Sequence, residues 1–186
     1  MTWNNDNIEH NQFNFLYGEQ SIPIGLSGKH ILYNITGKKV DSISDVPTAL
    51  RTALRHPIDT PPLREIIHSG DKVAIIVSDI TRVWVQSDRF LPVILNELNE
   101  AGIPDGDIFI VIALGSHRFQ TNDETVKVCG QEACRRVAIY QHDCHDAKQL
   151  VKVGTTSRGL DVYLNKRVVD ADKVMGCEIL FNTILS

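Results

Sequence analysis

The sequence predicts an α/β fold: an open, mostly parallel twisted sheet with helices on both faces, a small β-rich N-terminal segment and a hairpin near the C-terminus. Three observations predict it. Val73-Ala74-Ile75-Ile76-Val77 and Ile108-Phe109-Ile110-Val111-Ile112-Ala113 are continuous apolar runs of strand length, the pattern of strands buried on both faces. Between them, Ser87 to Ala101 places Leu91, Ile94, Leu95 and Leu98 at i, i+3, i+4 and i+7 and stops at Gly102, as an amphipathic helix does. Strand, helix and strand at this spacing form a βαβ unit, with parallel strands and a right-handed crossover.

The remaining elements follow in order. Residues 1–12 are Asn-rich and without period and are expected to be a loose leader, the α/β domain then running over 13–186. From Phe13 to Thr36, Gly18, Pro23, Gly25 and Gly28 punctuate short apolar pieces, which suits hairpin or edge structure, with a strand over Lys29 to Ile35. Ser44 to His56 opens on a Ser/Asp cap, puts Leu50, Ala53 and Leu54 on one face and is stopped by Pro57. A brief second helix through Leu63, Ile66 and Ile67 ends at Gly70. After Ala113, a helix is expected from Asn122 or Asp123 to Val128, resuming at Gln131 past Gly130, then a strand over Arg136 to Tyr140. Leu150 to Val153 and Asp161 to Asn165 flank the turn Thr155 to Gly159 as a hairpin.

Composition narrows the function. The 186 residues are 42% apolar and 23% charged, enough for a sizeable core without disulfides or metal, and unlike disorder or coiled coil. Nineteen Lys and Arg against 23 Asp and Glu leave a net charge of -4, so there is no basic field for nucleic acid. No stretch nears the ~18 consecutive apolar residues of a membrane span, and the polar start is unlike a signal peptide. A cytoplasmic protein with Cys129, Cys134, Cys144 and Cys177 reduced is expected.

In an open parallel sheet, ligands bind beyond the carboxyl ends of the strands. Two polar clusters fall there: Ser78-Asp79-Ile80-Thr81-Arg82 after the first buried strand and Gly115-Ser116-His117-Arg118 after the second. Asp79 and Arg82 either point together at a ligand with hydroxyl and anionic groups, or Asp79 caps the next helix and Arg82 is solvated. His117 sits where an imidazole could transfer a proton near neutral pH, or is a surface loop histidine. His142-Asp143-Cys144-His145-Asp146 holds soft and hard metal ligands, but without the four-ligand spacing of a structural zinc site, so no metal ligands are assigned. The Thr155 to Gly159 turn lacks the spacing of a P-loop or a dinucleotide fingerprint.

Taken in order, Tyr17-Gly18, His56-Pro57-Ile58 with Pro61-Pro62-Leu63, Ser78 to Arg82, Ala101-Gly102-Ile103-Pro104, Gly115 to Arg118, His142-Asp143 and Gly154 to Gly159 resemble the nickel-dependent lactate racemase family, specifically its N-terminal domain. The resemblance spans Phe13 to Met175. It implies a 2-hydroxy-acid racemase or epimerase working by hydride transfer to a nickel pincer nucleotide, a nicotinate-derived cofactor joined to a lysine by a thioamide. It makes His117 one of two catalytic histidines, places Ser78, Asp79, Thr81 and Arg82 on the cofactor side of the cleft, and gives Arg82 and Arg118 to the substrate.

The sequence also departs from that family. Val83-Trp84 stands where the family has proline, and after Met175 the chain reads Gly176 to Ser186 with no counterpart of the second histidine, the cofactor lysine, the nickel histidine or the C-terminal domain. The expectation is therefore a domain inactive by itself that pairs with a missing second domain. Apolar Ile179, Leu180, Phe181, Ile184 and Leu185 would otherwise favour self-association into a homo-oligomer. The competing expectation is a non-catalytic module of the same fold that binds a nucleotide or a small carboxylate.

Overall fold

A computed structural model describes residues 11–26, 33 and 41–177; the strand expected over 29–35, most of the leader and the apolar tail lie outside these residues. Contacts divide the chain into one unit over residues 1–42 and another over 43–186.

In the first unit, β1 (Asn11–Tyr17) and β2 (Gln20–Leu26) pair antiparallel from Asn11↔Leu26 to Tyr17↔Gln20. Gly18 takes φ +62 in the two-residue turn while Glu19 keeps a negative φ, the type II′ pattern that matches strand twist and requires glycine first. Strand structure thus begins two residues before Phe13.

In the second unit, α1 (Val46–Arg55) starts at Asp45, whose carboxylate accepts from the Thr48 N–H at 3.1 Å. α2 (Leu63–Ile66) is a single turn and stops short of Gly70 because Ile67 is already extended. The strand β3 (Val73–Ser78) leads through a 3-10 segment, Ile80–Val85, into α3 (Ser87–Glu100), and β4 (Ile108–Ala113) follows. α4 (Asn122–Arg136) opens on a capping box in which Thr121 and Glu124 satisfy each other's backbone N–H groups. It breaks helical geometry at Gly130 (φ +78), the interruption expected between Val128 and Gln131.

Next come β5 (Ala138–Gln141), the antiparallel pair β6 (Leu150–Thr155) and β7 (Asp161–Asn165), α5 (Lys166–Val169) and β8 (Lys173–Cys177). Arg136, expected in a strand, ends α4 instead. Its guanidinium is bound by Asp105, Asn96, Asn99 and Glu132, and helical bonding persists until the Val137 N–H reaches the Ala133 carbonyl. Nothing in the sequence signalled α5 or β8.

The sheet order is β5-β4-β3-β8, all parallel. Val73, Ile75 and Val77 of β3 and Ile108, Ile110 and Ile112 of β4 point to one face, as alternation requires. They join Leu91, Ile94, Leu95 and Leu98 of α3 and Val128, Cys129 and Ala133 of α4 in one buried cluster, against which Leu50 and Leu54 of α1 also pack. Each fully buried aliphatic side chain there contributes roughly 1.5–3 kcal/mol. On the opposite face Tyr140 stands edge-on to Phe109, and Arg167 of α5 lies 3.8 Å from the centre of the Tyr140 ring. Helices therefore lie on both faces, as predicted.

Candidate active site

Strand order locates the crevice. β3, β4 and β5 step outward in one direction, and β8 returns to the other side of β3, so the reversal lies at the carboxyl end of β3. Asp79 is the first residue beyond that end and is 2% exposed. Beyond β4, Gly115 turns the chain with φ +58, and the His117 N–H donates to the Leu114 carbonyl at 3.0 Å. This tight turn swings the imidazole back over β3.

The two strand ends meet through the side chains. Asp79 Oδ2 lies 2.5 Å from His117 Nδ1, and Asp79 Oδ1 accepts from the Thr81 hydroxyl at 2.5 Å and the Thr81 N–H at 3.1 Å. Burial alone would raise the Asp79 carboxyl. The hydrogen bonds from Thr81 and His117, with the charge of His117, outweigh it and hold the group below its ordinary range. An ionised Asp79 accepts from Nδ1–H, which directs the Nε2 lone pair outward from a half-exposed ring.

Arg82 stands at the margin, its Nη1 3.9 Å from Asp79 Oδ1 and 3.5 Å from the Thr81 hydroxyl, with about half of its side chain exposed. Asp79 thus caps the 3-10 segment, one of the two roles weighed from sequence, and also holds a histidine, a contact the sequence did not foretell. Ser78 is buried as the last residue of β3.

Arg118 is placed elsewhere: both its Nη atoms reach Glu124, at 2.9 and 2.7 Å, and Nη1 also donates to the Phe119 carbonyl. It reinforces the capping box of α4, and this pairing pulls the Glu124 carboxyl down to about 2.

The other polar runs serve the backbone. His142 lies just past β5, its Nδ1 accepting from Asn165 Nδ2 at 3.1 Å. Asp143 accepts from the His145 N–H, and Asp146 caps the turn at Ala147–Gln149. Among the described residues no three His, Cys, Asp or Glu side chains converge on a metal position. In the β6–β7 turn, the Thr156 hydroxyl accepts from the Leu160 N–H and the Thr155 hydroxyl donates to Asp161. Cys129, Cys134 and Cys144 are free thiols, and burial pushes Cys129 up to about 12.

Sequence reasoning missed Gln120 and Gln141. The Gln120 N–H donates to Gln141 Oε1 at 2.6 Å, Gln141 Nε2 donates back to the Gln120 carbonyl at 3.0 Å, and Gln120 Oε1 accepts from the Ile80 N–H. A glutamine carries no chemical signature, and only tertiary neighbours reveal this part.

Comparison with known proteins agrees with the fold. Residues 17–182 match the lactate racemase N-terminal domain. The chain is 33% identical over 120 residues to the lactate racemase of Lactiplantibacillus plantarum, a match covering 64% of this chain and 28% of that protein. With the lactate racemase of Thermoanaerobacterium thermosaccharolyticum it shares 30% identity over 123 residues, covering 66% and 28%. It is similar to the solved apoprotein of lactate racemase from the latter organism, with a TM-score of 0.73 and 26% identity over 89% of this chain and 38% of that one. A solved Thermotoga maritima protein, at 22% identity and a TM-score of 0.50 over 61% of this chain and 30% of that one, shares the fold. The match spans 28% of the length of either curated relative. Among the described residues no helix is long and apolar enough to cross a membrane. A family match over residues 17–182 of 186, on a fold shared with a solved lactate racemase apoprotein, means that this chain belongs to the lactate racemase N-terminal domain family.

Proposed function

We propose that this chain forms one wall of the active site of a 2-hydroxy-acid racemase, supplying a proton-transfer group and a carboxylate anchor. The observation that carries this is the Asp79–His117 pair at the carboxyl ends of β3 and β4, with the Arg82 guanidinium beside it. Removing hydride from the carbon of a 2-hydroxy acid leaves a ketone only if the hydroxyl proton departs as well, so the site needs a base near that hydroxyl. His117 offers Nε2, while Asp79 fixes the tautomer and balances the imidazolium that forms. Arg82, cationic and half-exposed, takes the substrate carboxylate as a charge-assisted pair. Arg118 is already held by Glu124, so the carboxylate is assigned to Arg82.

The nickel pincer nucleotide implied by the resemblance supplies, when bound, the acceptor and donor of the substrate hydride. The described residues suit the anionic, hydroxyl-bearing part of such a group through Arg82 and Thr81, and they hold no metal donor set. The resemblance puts its lysine and nickel ligands in the length of the relatives that this chain does not span, and on that reading the 186 residues by themselves are not expected to racemise. Free thiols suit a reducing compartment, which we take to be the cytoplasm.

The test is chiral analysis of lactate and other 2-hydroxy acids after incubation with the complete protein loaded with nickel and cofactor. His117→Asn lowers kcat by roughly 10²–10⁴, and Arg82→Ala raises KM about tenfold or more, the loss of a charged hydrogen bond. Full turnover without His117 would defeat the reading. No turnover by the wild type, alongside a melting-temperature rise with a nucleotide or carboxylate, would favour a binding module.

A further inference from the structure

The pair at the strand ends depends on two loops that the sheet alone does not hold together. Gln120 joins them. It follows the His117 turn by three residues, is 6% exposed, and its side-chain oxygen accepts from the N–H of Ile80, the residue after Asp79. Its own backbone is fastened at both N–H and carbonyl to the side chain of Gln141, the last residue of β5. The ends of β3, β4 and β5 are thereby linked through two side-chain amides that meet at Gln120.

The orientation of that amide is settled by its partner, since an N–H needs an oxygen opposite it. The choice leaves Gln120 Nε2 buried without a hydrogen-bond partner among the described residues. A buried orphan donor is unfavourable, so packing by itself would be better served by an apolar side chain of the same length. What the amide adds is the bond from Oε1 to Ile80.

We propose that Gln120 is a positioning residue, its side-chain carbonyl locking Ile80, and with it Asp79, against the His117 loop so that the carboxylate–imidazole pair is set before substrate arrives. The catalytic significance of this rests on the reading of His117 as the base, whereas the lock itself is tested without turnover.

The experiment is amide hydrogen exchange with NMR titration of the Asp79 carboxyl, on the 186-residue chain and its Gln120→Met variant. The variant is expected to exchange the Ile80 amide about tenfold faster or more, with the amides of Ile75 and Ile110 unchanged. Its Asp79 carboxyl titrates closer to an ordinary carboxylate as the His117 bond loosens. A purely structural role would instead accelerate all three amides together and leave the Asp79 titration in place. An Ile80 amide and an Asp79 titration both unaltered in the folded variant would overturn the proposal. If the variant does not fold, the wild type decides: an Ile80 amide that exchanges as fast as an unstructured one overturns it, and strand-like protection upholds it. Absence of racemisation would leave these readouts untouched and count against the racemase reading alone.

Discussion

Asp79 gathers three hydrogen bonds at a carboxylate that is almost wholly shielded from water. Replacing it with Asn removes the charge that orients His117 and sets an amide N–H₂ among donors, so kcat falls and stability drops by roughly 1–3 kcal/mol. The direction with pH follows from linkage. A carboxyl depressed in the fold stabilises fully above its unfolded value, and that contribution is lost as pH falls through the lower folded value. The gap in urea midpoint between wild type and Asp79→Asn therefore holds at pH 6 and narrows below about pH 3.8, the ordinary carboxyl value. That Asp79, Arg82 and His117 fall together beyond the ends of two buried strands was readable from sequence, because each polar cluster directly follows an unbroken apolar run. Arg118 looked equally suitable; only the fold shows Glu124 in the first turn of α4 taking it.

Elements differ in how much of themselves the sequence displays. α3 carries an unbroken helical period and β4 an unbroken apolar run, so their limits were expected almost as found. β8 offers only Val174, Met175 and Cys177 in five residues, and α5 is one turn, too short for any period to show. The glycine interruption in α4 has a physical reason. At φ +78 and ψ 152, Gly130 lies in a region open essentially to glycine alone, and a Cβ there would sit 3.2–3.4 Å from Asp88 in the first turn of α3. Gly130→Ala should cost about 2 kcal/mol, with a Tm lower by roughly 4–8 °C on thermal unfolding. A larger neighbour at this contact also pushes on the 3-10 segment that carries Arg82, which immediately precedes α3.

At the scale of the molecule, every described residue of the buried cluster belongs to the unit that begins at Ile43. A chain beginning there is expected to unfold in one cooperative transition in urea; a broad, non-cooperative transition would show that this unit does not hold its core by itself. The fold class could be read from the two apolar runs and the helix between them, because strands buried on both faces with a helix between them make a parallel βαβ unit. Strand order could not, since the position of β8 beside β3 is a tertiary outcome that no local pattern encodes.

That position also has a consequence for the birth of the protein. The Lys72 N–H at the start of β3 donates to Asp172, 100 residues further on. A ribosome adding about 5–20 residues each second needs roughly 5–20 s to deliver that partner. In the interval β3 and β4 have already been made, and the outer edge of β3 offers bare N–H and C=O groups to any passing strand. This nascent chain is most exposed to mispairing during that wait, when Asp79 and His117 have been made but the strand that covers the edge of β3 has not.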